Sequence, residues 1–162
     1  MSEIRFVKQC AMLRPCDDNG TMNVNSGLAL LVLGAALGIM VYIAVVLAPL
    51  VFRTLAPEHA APLMRAQFRS YYLALGGLTA LAAVLLIETR PLPGAFSAVA
   101  AIGFLILRQI LMPQMAEARR DGEAEDARER LRFARLHRLS MVVNVLQLAG
   151  IASAAALLVF SS

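Results

Sequence analysis

Polar side chains recur along one stretch of this chain at the spacing of a helix face. His137, Ser140, Asn144 and Gln147 follow one another at steps of three, four and three residues, among Leu139, Met141, Val142, Val143, Val145 and Leu146. That rhythm sets all four on one side of an α-helix. Asn144 then lies about 10 Å along the axis from His137, inside hydrocarbon that offers no hydrogen bonds, so this edge must face the bundle interior, a partner helix or a watery cavity. Two roles fit it. One is interhelical glue, worth about 0.6 kcal/mol per contact in a well-studied membrane protein. The other is the lining of a polar pocket for a small solute, an ion or a lipid. The counterparts expected opposite are Arg53, Tyr72 and Arg108, because an arginine can donate to the Asn144 carbonyl or the Ser140 oxygen.

His59 and His137 are the only histidines. Two imidazoles on one membrane face could ligate a haem iron or a metal, which makes a redox membrane protein an alternative reading. No His-x-x-His, Cys-x-x-Cys or carboxylate cluster accompanies them, and Cys10 and Cys16 lack the spacing of a zinc or redox motif. A nucleophile elbow, a phosphate-binding loop and a dinucleotide fingerprint are likewise missing. No catalytic residue, cofactor or metal ligand is therefore assigned, and a non-enzymatic role is the expectation.

Four elements must position the polar stripe. The 162 residues are 59% hydrophobic and only 16% charged, with a mean hydropathy of +0.69, against roughly a quarter charged in soluble domains. Charge is absent from 27–52, 70–87, 91–107 and 139–162. About 20 helical residues cross a hydrocarbon core, so helices are predicted at roughly 27–52, 68–88, 93–115 and 136–160, with Arg108 snorkelling from inside the third. Isolated strands would leave backbone groups unpaired in lipid, and no alternating pattern suggests a barrel. The fold class is an all-α, integral membrane four-helix bundle.

Four spans put both termini on one side. The loop side carries Arg53, Arg65, Arg69, Arg108, Arg119, Arg120, Arg128, Arg130, Arg132, Arg135 and Arg138, against Arg5, Lys8, Arg14 and Arg90 opposite. The positive-inside rule then predicts cytoplasmic loops and periplasmic termini in a bacterial inner membrane. The net charge of +4 reports this topology and contact with the lipid bilayer, and no nucleic-acid partner is expected. Residues 1–21 read as a disordered tail, or as an extension upstream of a start at Met22. Segment 116–138 is predicted to form a charged cytoplasmic hairpin turning near Asp121-Gly122, a docking surface if the chain is an assembly subunit of a larger complex.

Small residues mark close helix approach: Gly34 and Gly38, the Gly76-Gly77 pair, and Gly150 with Ala154. Gly34, Gly38 and Gly150 could equally serve a homo-oligomer. Pro49 removes a backbone donor and is expected to bend or end helix 1.

Several of these segments together resemble a known family. Helix 1 ends Ala48-Pro49-Leu50-Val51-Phe52-Arg53-Thr54-Leu55, helix 2 opens Phe68-Arg69-Ser70-Tyr71-Tyr72, helix 3 ends Met112-Pro113-Gln114-Met115, and helix 4 carries Phe133, His137, Ser140 and Asn144 at fixed spacing. The pattern resembles the small bacterial membrane proteins of the DUF4149 type, which are similar to eukaryotic transmembrane protein 205. The resemblance spans about 28–160. It implies a four-helix membrane domain and implicates Pro49, Phe52, Arg53, Phe68, Tyr72, Pro113, His137, Ser140 and Asn144, without implying a reaction.

Overall fold

The computed structural model describes residues 24–122 and 127–160. The readings of residues 1–21, of Cys10 and Cys16, and of the connection closing the 116–138 hairpin fall outside these residues or partly so. Among these residues there are four long apolar helices: α1 (Val24–Thr54), α2 (Pro57–Leu86), α3 (Pro91–Glu117, its helix continuing to Gly122) and α4 (Ala127–Phe160). Each is long and apolar enough to cross a membrane.

The spans fall where charge is absent, but the helices outrun them. Helix 2 starts at Pro57 rather than near 68, since Ala56 is extended and Pro57 takes the first helical position, where a missing N–H costs nothing. Helix 3 stays helical to Gly122 and helix 4 starts at Ala127, both running beyond their apolar spans into the segment read as a hairpin. The Met112–Gly122 end of α3 packs on α4.

Proline does not end α1. The helix widens into a π-turn at Tyr42–Leu47 and resumes at Ala48–Thr54. At its close the Ala48 N–H donates to the Ile43 carbonyl, five residues back. Pro49, the next residue, can donate to nothing, and the wide turn absorbs the misfit that a ring and a lost donor create in a regular helix. The device recurs in α3. A π-turn at Leu107–Leu111 closes with Met112 N–H donating to the Leu107 carbonyl, immediately before Pro113.

Each helix packs on its neighbours in sequence, and α1 packs back on α4, so α2 and α4 face each other across a diagonal. In its most apolar window α2 is 44% buried against 22% for α1 and α4, which makes it the most enclosed span. The core runs through Leu33, Leu75, Leu86, Phe104, Ile151 and Leu158. Leu31, Val45, Val84, Val99 and Val145 are exposed around the outside, the distribution expected when hydrocarbon is the solvent. Thr79 donates to its own helix at the Leu75 carbonyl (2.7 Å) and Ser97 to Pro93 (2.9 Å), which hides both hydroxyls.

The glycines divide. At Gly94 a Cβ would lie 3.3 Å from the Leu86 carbonyl carbon and 3.4 Å from the Ile87 nitrogen, so glycine lets α3 begin against the end of α2. Gly34 and Gly38 lie exposed on α1, and a Cβ there, or at Gly150, would meet nothing within 4 Å. These three leave open surface rather than drawing the four helices together.

Candidate functional site

Along its first part, Val24–Val41, α1 packs on both α2 and α4; further on, the Ala48–Thr54 helix packs on α2. Between α1 and α4 on the loop side lies a cavity of about 540 Å³. Both π-turns contribute to its wall, through Ile43, Ala44 and Val45 on α1 and Leu107 and Leu111 on α3. Met40, Met64, Met112, Met115 and Met141, every methionine among the described residues, also line it. Phe68, Tyr71 and Tyr72 form an aromatic floor. The Phe68 ring stacks on Tyr72 with centroids 5.9 Å apart and meets Tyr71 edge-on at 5.7 Å.

One wall is polar. Asn144 Nδ2 on α4 donates to the Tyr72 hydroxyl oxygen (3.2 Å) and to the Ser140 carbonyl (2.9 Å). The Tyr72 and Ser140 hydroxyl oxygens lie 3.4 Å apart, close enough for a weak bond in which either donates. These bonds cross the bundle diagonal, joining α2 to α4. Asn144 Oδ1 is buried and accepts from nothing. His137 lies at the exposed end of the wall, its ring parallel to Phe133 one turn earlier with centroids 6.1 Å apart.

The remaining sequence candidates lie elsewhere. Gln147 is buried and points at α3, where its Nε2 donates to the Ala100 carbonyl (3.1 Å). It reaches there by crossing Gly103, where a Cβ would come within 2.7 Å of the amide nitrogen. Arg53 is exposed and Arg108 half-buried with Nε unpartnered, and neither lines the cavity. The expected pairing of arginines with Asn144 and Ser140 is replaced by Tyr72. A phenol fixed on the facing helix delivers its oxygen to the bundle centre without carrying a charge into hydrocarbon. His59 is exposed in the first turns of α2, off the cavity wall, and no group of three or more His, Cys, Asp or Glu side chains assembles among the described residues.

The site contains residues that sequence reasoning passed over. The methionines are too scattered along the chain to form a motif. The π-turns left no specific trace, because Leu47-Ala48-Pro49 and Leu111-Met112-Pro113 share their Leu-x-Pro triplet with Leu55-Ala56-Pro57, where helix 2 begins without one.

Fold and cavity together define a multi-pass, four-helix membrane protein with an apolar chamber and one hydrogen-bonding wall. The chain belongs to the DUF4149 family, described as a domain of unknown function, which matches residues 31–124. That match takes in the cavity walls contributed by α1, α2 and α3 and stops short of His137, Ser140 and Asn144. No curated protein and no solved structure matches the chain.

Proposed function

We propose that the domain is a non-enzymatic binding protein of the membrane, holding a small, largely apolar molecule in the cavity between α1 and α4. The observation that carries this reading is the concentration of methionine on the cavity wall. Thioether side chains are unbranched and polarizable, and they recur on surfaces that accommodate varied apolar ligands. The volume also falls within the roughly 300–1,000 Å³ of small-molecule sites. Tyr72, Ser140, Asn144 and His137 would orient the ligand, while Gln147, Arg53 and Arg108 serve the bundle or its border.

Isotope-labelled methionine methyls make the test direct. Titrating purified protein with an alkyl probe should shift the resonances of Met40, Met64, Met112, Met115 and Met141. Ala44→Phe, which places a ring at the exposed α1 side of the cavity, should abolish those shifts while helicity and extraction yield stay unchanged. Shifts that persist in folded Ala44→Phe protein would assign binding to another surface.

The arginine distribution supports cytoplasmic loops and periplasmic termini in an inner membrane. Alkaline phosphatase fused after Phe160 should then be active, and a fluorescent protein that matures only in the cytoplasm should be dark there. The opposite pair of results reverses the orientation. Gly34, Gly38 and Gly150 leave surface on which a second copy of the chain could pack as a homo-oligomer.

A further inference from the structure

The polar wall has specific unmet hydrogen-bonding capacity. Asn144 Oδ1 is buried without a donor. The amide cannot be turned end for end to repair this, because its nitrogen faces the Ser140 carbonyl at 2.9 Å, which can only accept. Beside it, Tyr72 and Ser140 bring two hydroxyl hydrogens, yet the contact between their oxygens consumes only one. On neighbouring residues that line the cavity, then, one acceptor lacks a donor and one hydroxyl hydrogen lacks an acceptor. A single hydroxyl oxygen, which donates once and accepts as well, answers both. An ether could only accept, and an ammonium could only donate.

Charge narrows the ligand further. Among the described residues no Arg, Lys, Asp or Glu lines the cavity and His137 stands at its exposed end, so a charged group drawn in as far as Asn144 would leave water without gaining an opposite charge beside it. Ala44 and Val45 on α1, and Met141 and Val145 on α4, are all exposed and line the cavity from its two sides. The chamber thus opens sideways, between the helices, toward hydrocarbon.

Resting on the binding role above, we infer that the cavity takes a neutral, single-chain alcohol from the bilayer, entering between α1 and α4, its hydroxyl donating to Asn144 Oδ1 and accepting from Tyr72 or Ser140. The aliphatic chain lies along the methionines and the aromatic floor.

Two photoreactive probes test this on the full chain in lipid nanodiscs: a long-chain primary alcohol carrying a diazirine, and its methyl ether. The alcohol should label cavity residues of α1 and α4, and the ether should label them roughly tenfold less, the difference made by about one buried hydrogen bond. Asn144→Leu should bring the alcohol down to the level of the ether, and Ala44→Phe should abolish labelling by both. Equal labelling of the wild-type protein by alcohol and ether overturns the hydroxyl inference and leaves the apolar binding role standing. Labelling by neither probe, or labelling indifferent to Ala44→Phe, overturns the binding role itself. The wild-type comparison decides the hydroxyl question even where Asn144→Leu fails to fold.

Discussion

Phe104→Ala should destabilise the bundle by about 2–3 kcal/mol, measured as loss of helical signal on denaturant titration in mixed micelles. Phe104 is fully buried on α3, with its Cβ 3.7 Å from where a Cβ on Gly76 would stand and its ring 6.3 Å from that of Tyr72. In water the cost of such a truncation combines a transfer term and a cavity term. In a membrane the transfer term largely vanishes, since lipid tails are as apolar as the core. What remains is the void, at about 24 cal/mol per Å³ over roughly 100 Å³ of deleted ring. Gly76, the residue facing it, has no side chain with which to refill it. Val99→Ala and Ile102→Ala, exposed on the same helix, provide the comparison, because lipid closes over them and each should cost only a few tenths of a kcal/mol. Equal losses at Phe104 and Val99 would mean that α3 is not packed as described.

The four spans were legible because hydrocarbon imposes a length and a composition on anything that crosses it, and the chain obeys both. The helix ends were less so. Absence of charge marks where a helix enters lipid, whereas the first ten or so residues of α2 are helical with Pro57 starting the helix, Pro62 inside it, and Ala60 and Met64 packed on Val51 of α1. Pro49 left a bend and a stop both open for a related reason, and only the stop is overturned. A proline's effect on a helix depends on whether the preceding turn can widen, which is decided by tertiary packing and not by the residue itself.

At the site, the helical period alone placed Ser140 and Asn144 on one face, and Tyr72 was among the residues proposed opposite. Periodicity gave no means of ranking Tyr72 above Arg53 or Arg108, because it fixes direction around an axis and says nothing of what stands across the bundle. Gln147 shows the same limit. One step of three beyond Asn144 turns it toward α3, where the bare backbone of Gly103 admits it to Ala100. The methionine lining needed three dimensions altogether, since Met40, Met64, Met112 and Met141 come from four different helices.

Asn144→Asp should be far more damaging than Asn144→Leu, although it is the closer match in shape. Asparagine donates through Nδ2 to the Tyr72 oxygen at 3.2 Å and to the Ser140 carbonyl at 2.9 Å. An ionised carboxylate has nothing to donate, so an anionic oxygen would be set against the Ser140 carbonyl in a span where a buried charge costs about 2.5–3.5 kcal/mol. Leucine removes the same bonds but carries in neither charge nor an unmet acceptor, and Tyr72 and Ser140 keep their contact with each other. Its cost should stay near 1 kcal/mol or below. Denaturant titration of the two variants measures the gap, expected at about 2 kcal/mol by difference. The comparison also reports on the cavity's solvent. If the aspartate variant proves as stable as the leucine variant, and stays so as pH rises from about 5 to about 9, so that a protonated carboxyl does not account for it, water must already reach Asn144 Oδ1 and hydrate the new charge. The chamber would then be wet, its unpaired acceptor satisfied by water, and the case for a bound hydroxyl would lose its physical basis.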